Sequence, residues 1–99
     1  MLRHIVLLRM NATTSAERAS SVARISGALA ALPAQINQIR DLSVGTNVVD
    51  RPGNWDLALT VDLDDAVALE EYREHPEHHK VLELINQLVA DRCAVDFTV

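Results

Sequence analysis

The sequence has almost no aromatic residues: one Trp, one Tyr and one Phe in 99 positions. Its core must therefore be built from Val, Leu, Ile and Ala, within a hydrophobic content of 48%. The same scarcity leaves no aromatic platform on which bases could stack. Basic residues are also few, nine Lys and Arg against fourteen Asp and Glu, for a net charge of −5. Arg3, Arg9, Arg18, Arg24 and Arg40 are scattered along the chain. A nucleic-acid surface needs clustered positive charge, so no nucleic-acid partner is expected. The single cysteine, Cys93, excludes an internal disulfide and gives no zinc framework. It lies in an alternating apolar pattern and reads as a small buried hydrophobe, in keeping with a reducing cytoplasm. The apolar run Ile5 to Leu8 is too short for a signal core. No stretch approaches the roughly 20 residues of a membrane span, so the expectation is a cytoplasmic protein with no membrane partner. With three glycines there is no Gly-rich phosphate loop, and no serine sits in a nucleophile turn.

The residues that are present order themselves into one α+β domain over 1–99. Met1 to Met10 reads as a strand, apolar without interruption from Ile5 to Leu8, which predicts burial on both faces. Asn11 to Ser15 is a polar linker. Thr14 and Glu17 have the capping-box spacing, and Val22, Ile25, Leu29 and Leu32 follow at helical intervals until Pro33 limits the helix. Ile39 to Val49 reads as a strand in which Gly45 suggests a bulge or bend. Asp50 to Asn54 is a turn. Trp55 to Leu63 is a strand with Leu57, Leu59, Val61 and Leu63 on one face and Ala58, Thr60 and Asp62 on the other. Asp64 can cap a short helix to about Glu74, and Pro76 suits the first turn of another, carrying Val81, Leu84, Ile85 and Leu88. Cys93 to Val99 alternates as a final strand.

This order is the ferredoxin-like βαββαβ arrangement, a four-stranded antiparallel sheet with its helices on one face. The other face would carry Ile5, Leu7, Ala58 and Thr60, too apolar to stay wet. A second copy of the chain, related by a twofold axis, is the simplest cover. The alternative is a monomer with a mildly apolar sheet.

One segment concentrates chemistry: Tyr72-Arg73-Glu74-His75-Pro76-Glu77-His78-His79 holds three of the four histidines. The fourth, His4, shares a strand face with Val6 and Leu8 and is expected to face the helices, as is Leu57. Tyr72, His75, His78 and His4 can then converge on one pocket between sheet and helices. An imidazole can remove a proton near neutral pH, and a phenol can donate to an oxygen that gains charge. Enolisation, aldol-type cyclisation or isomerisation would suit such a pair without a cofactor. A structural reading stands beside this one: His75 caps a helix, Tyr72 is core with its hydroxyl satisfied by His4 or backbone, and His79 faces solvent. A metal set of Glu71, His75, His78 and His79 is conceivable by residue type, but Pro76 interrupts the helix that would align it, and no metal is assigned.

The opening Arg3-His4-Ile5-Val6-Leu7-Leu8, the Leu32-Pro33 helix end, Val44-Gly45, Trp55-Asp56-Leu57-Ala58-Leu59, the Tyr72 to His78 segment and the closing Val95-Asp96-Phe97 occur at these spacings in order. In this the chain resembles the stress-responsive A/B barrel family, or Dabb, for dimeric alpha/beta barrel. The resemblance implies a homodimer whose two sheets form a shared barrel. A plant member of that family is a polyketide cyclase that closes a poly-β-keto chain by aldol condensation, using the tyrosine and second histidine of a Tyr-x-x-His-Pro-x-His motif. By position these are Tyr72 and His78, and the family's first-strand histidine matches His4. The chain differs from the cyclase at Leu57, where the cyclase pocket has a histidine, and in lacking a tyrosine on its first helix.

The expected function is that of a homodimer with a small-molecule pocket in each subunit. Chemistry there would be cofactor-free proton transfer on a small carbonyl compound, with His78 as base, Tyr72 as hydrogen-bond donor, and His4 and His75 orienting them. The alternative is a non-catalytic, stress-associated structural dimer.

Overall fold

A computed structural model describes residues 1–99. It places β1 at Leu2–Met10, α1 at Ser15–Ala30, β2 at Asp41–Thr46, β3 at Leu57–Leu63, α2 at Ala66–Glu74, α3 at Pro76–Leu88 and β4 at Val89–Thr98, with a 3₁₀ turn at Leu32–Ala34. The four strands form one antiparallel sheet in the order β2-β3-β1-β4. This is the ferredoxin-like fold.

The local signals act as their chemistry requires. Thr14 Oγ1 accepts from the Glu17 amide at 3.2 Å and starts α1. α1 stops at Ala30, and Leu32 and Pro33 continue into the 3₁₀ turn rather than the helix. Asp65, one residue after the expected Asp64, caps α2 by accepting from the Ala68 amide at 2.9 Å. Asp64 instead binds Arg40.

Strand limits differ from expectation where side chains outweigh pattern. β2 is shorter than expected, because Ile39 turns into the core before the strand begins, while Val48 and Val49 lie exposed beyond its end. β3 likewise begins at Leu57, two residues after Trp55. β4 starts at Val89, four residues before Cys93. Gly45 makes no bulge: it pairs in register with Ala58. The sheet's irregularity lies between Arg9 and Met10, where β1 meets the start of β4.

The core lies between the sheet and the helices. Leu8, Leu57, Leu59, Val61 and Leu63 from the sheet meet Ile25, Leu29, Leu69, Tyr72, Val81 and Ile85 from the helices. The opposite face carries no helix. There Leu7, Val95 and Phe97 remain 36%, 55% and 40% exposed in the single chain. Cys93 pairs with Leu7 on that face and is exposed, not buried. The alternation that suggested burial is real, but in one chain nothing covers this side of an edge strand.

Candidate functional site

The site begins with a broken helix. His75 precedes Pro76, and the ring of a proline drives the preceding residue toward extended backbone. His75 accordingly has φ −63° and ψ 136°, ending α2 and starting α3. Its Nδ1 accepts from the Glu77 amide at 3.1 Å, so its imidazole is an N-cap. The break lets Tyr72, in the last turns of α2, face His78, in the first turn of α3. Their ring centroids are 4.5 Å apart.

His4 approaches from β1, its ring edge-on to Tyr72 at 6.2 Å between centroids. Antiparallel register sets Asp96 of β4 beside His4. His4 Nδ1 lies 2.5 Å from Asp96 Oδ1, and Arg73 reaches the other carboxylate oxygen at 3.5 Å. A carboxylate only accepts, so the Nδ1–H of His4 donates and Nε2 is left free.

The same reasoning fixes His78. Its Nδ1 is 3.0 Å from the Arg73 carbonyl oxygen, which can only accept. The proton of the neutral ring sits on Nδ1, and Nε2 keeps its lone pair. Burial holds the His78 pKa below the usual 6.5, against the opposing pull of the Arg73 carbonyl, with His79, His4 and Arg73 adding repulsion. His78 is therefore a neutral base at pH 7. Tyr72 is 0% exposed, and burial pushes its phenol up to about 12, with Arg73 opposing. The phenol stays protonated and able to donate. Its hydroxyl has no hydrogen-bond partner within the chain. A buried unpaired hydroxyl costs about 1–3 kcal/mol.

These groups border a cavity of about 430 Å³ between the sheet and α2 and α3. His4, Tyr72 and His78 line it, together with apolar residues that include Leu59, Leu82 and Ile85. Its size falls in the range of small-molecule sites, and a mostly apolar wall with few polar groups is their usual make-up.

Two expected lining residues are elsewhere. Leu57 is buried in the core on the correct face, but register sets it opposite Leu8, while His4 pairs with Val61 and Val6 with Leu59. Leu59 takes the wall position nearer His4. His75 is committed to the α3 cap, so it shapes the break rather than the cavity. His79 is exposed. No three His, Cys, Asp or Glu side chains gather closely enough to hold a metal ion.

Sequence reasoning missed Asp96 and Arg73. A signal for Asp96 existed: the chain ends pair, with Leu2 opposite Thr98, and counting inward sets His4 against Asp96. Arg73 carried no comparable signal, since its carbonyl and guanidinium act only once the helix break is formed.

Known proteins share this architecture. An uncharacterised protein of Streptomyces coelicolor is 37% identical over 78 residues, covering 79% of each chain. A dimeric ferredoxin-like protein of unknown function from Bacteroides fragilis is 30% identical with a TM-score of 0.87, over 99% of this chain and 95% of that one. Another dimeric ferredoxin-like protein of unknown function, from Thermobifida fusca, is 35% identical with a TM-score of 0.84, over 99% and 90%. A hydroxynitrile lyase from Passiflora edulis shares the fold at 14% identity and a TM-score of 0.81, over 99% and 92%. The family model described as Stress Responsive A/B Barrel Domain matches residues 2–99. With that match running almost from end to end, the chain belongs to the stress-responsive A/B barrel (Dabb) family.

Proposed function

We propose that this protein is a cytoplasmic homodimer in which each subunit moves a proton on a small carbonyl compound, without a cofactor. The single observation behind the chemistry is the pairing of Tyr72 with His78: a protonated phenol and a neutral imidazole, 4.5 Å between ring centroids, at one cavity. His78 Nε2 takes the proton from the carbon next to a carbonyl. The Tyr72 hydroxyl, unpartnered in the chain, donates to the carbonyl oxygen as it becomes an enolate. His4, held by Asp96 and edge-on to Tyr72, orients the pair. A known enzyme on the same scaffold, a hydroxynitrile lyase, supports the fold's capacity for chemistry on small molecules, not a particular reaction here. The dimeric relatives and the exposed Leu7, Val95 and Phe97 support the homodimer.

The test is exchange of α-hydrogens of a simple methyl ketone for deuterium in heavy water, followed by NMR. Wild-type protein should accelerate exchange, and His78→Ala should lose the acceleration while remaining dimeric. Equal rates with the two proteins would sink the assignment. The base must be neutral, so the rate should rise with pH through a midpoint below 6.5 and stay level until Tyr72 ionises toward about 12.

A second reading has its own support. Tyr72 is wholly inside the protein and His75 is a helix cap. A structural dimer without catalysis would use both this way. It predicts that His78→Ala lowers the melting temperature and that no ketone raises it.

A further inference from the structure

The charge around the cavity runs against that of the chain. The protein has a net charge of −5 and fourteen acidic residues, yet no Asp or Glu lines the cavity. Two arginines do, Arg73 and Arg92. Arg73 is already engaged, with Glu70 at 3.3 Å and Asp96 at 3.5 Å. Arg92 forms no ion pair or hydrogen bond with any other side chain. It stands opposite Leu8 in the β1–β4 register, on the helix-covered face, so the apolar face left for a second copy does not include it.

From these observations, and resting on the proton-transfer reading above, we propose that the substrate is an anion: a carbonyl compound with a carboxylate at the far end of an apolar body. Arg92 is its anchor and the residue that sets this specificity. Asp96 marks the reacting end and lies four residues further along β4. At a rise of about 3.4 Å per residue the two positions are ~14 Å apart along the strand. The guanidinium's own reach shortens that span. The ketone then meets Tyr72 and His78 while the carboxylate meets Arg92, and the aliphatic wall between them covers the chain. A guanidinium matches a carboxylate through two parallel N–H donors, which a neutral ester cannot engage in the same way.

The probe is 7-oxooctanoate, compared with its methyl ester by isothermal titration calorimetry. Wild-type protein should bind the acid more tightly by about tenfold, the ratio expected when one charge-assisted contact is gained. Arg92→Gln should erase the preference by bringing acid binding down to the level of the ester. Arg92→Lys, which keeps the charge but not the fork, should retain part of it. Equal binding of acid and ester by wild type, no binding of either, or a preference that survives Arg92→Gln would each overturn the proposal. The wild-type comparison needs no variant, so misfolding cannot blur it. Deuterium exchange on the same probes separates the two readings. Acid preference without exchange refutes proton transfer and leaves an anion-binding pocket, whereas exchange without acid preference refutes the role of Arg92 and leaves the chemistry.

Discussion

Arg3 and His4 are adjacent in the chain, and each pairs with an aspartate across a neighbouring strand, but they stand on opposite faces of the sheet. On the helix-free face Arg3 holds Asp62 through two bonds of 2.8 and 3.0 Å. On the helix-covered face His4 holds Asp96 beside Tyr72 and the cavity. The first pair joins a guanidinium to a carboxylate through two bonds. The second joins an imidazole to a carboxylate that orients its ring. Strand alternation therefore separates an ion pair on the open face from a histidine–aspartate pair beside the cavity within two residues, and the same division separates the face that the chain covers itself from the face it leaves open.

The largest expected effect would come from emptying the covered face. Ile25 is completely buried between sheet and helices. Ile25→Ala should cost about 2–5 kcal/mol, read from denaturant unfolding. A loss under about 1 kcal/mol would mean that the helix layer packs less tightly than the structure shows. Next comes the open face. Val95→Asp sets a charge on each side of the proposed interface, where it must be desolvated. The dimer should weaken by on the order of a hundredfold in Kd, about 3 kcal/mol, read by light scattering against concentration. An unchanged dimer would move the interface away from this face.

Smaller effects sharpen the contrast between caps and site. Thr14→Ala removes the bond that begins α1 and should cost about 1 kcal/mol, measured by thermal or urea unfolding, with no change in ketone exchange. The smallest is the acid response, and the two faces should answer at different pH. Burial depresses the folded pKa of His78, so folding favours its neutral form. Stability from that source is complete above 6.5 and declines as pH falls below it. Arg3 holds the Asp62 carboxyl below its usual 3.8, first by hydrogen bonding, with burial opposing. Stability from that pair persists above 3.8 and is lost as pH falls through the lower folded value. Melting temperature against pH should therefore show an upper step that His78→Ala removes. A step that stays in that variant would assign it to another group.

Much of the fold is legible in the order of residues alone. Apolar spacing, Thr14, Pro33 and Pro76 are local, and local rules place the helices and the break at His75. The alternation of Trp55 to Leu63 correctly gives β3 its inner face, and His4 its orientation toward the helices. Local rules fail where a residue's neighbour lies far off in the chain. Cys93 shows a buried strand's alternation but sits on an edge whose outer side no part of the chain covers. Leu57 has the correct face but lies on the β3 side of Leu8, whereas at that height the cavity opens on the β4 side, beside Arg92.

The sequence by itself determined the order of elements, the aliphatic core and the gathering of Tyr72, His75 and His78 around one proline. These follow from steric limits and periodicities that act over a few residues. Only the tertiary structure decided that His75 caps while His78 faces Tyr72, that Asp96 stands between His4 and Arg73, and that Arg92 stands unpaired at a cavity that no Asp or Glu lines. Those facts depend on strand register and on two helices meeting at an angle, which join residues as far apart as 4 and 96. A contact across that distance costs chain entropy and is made only when the whole core forms with it.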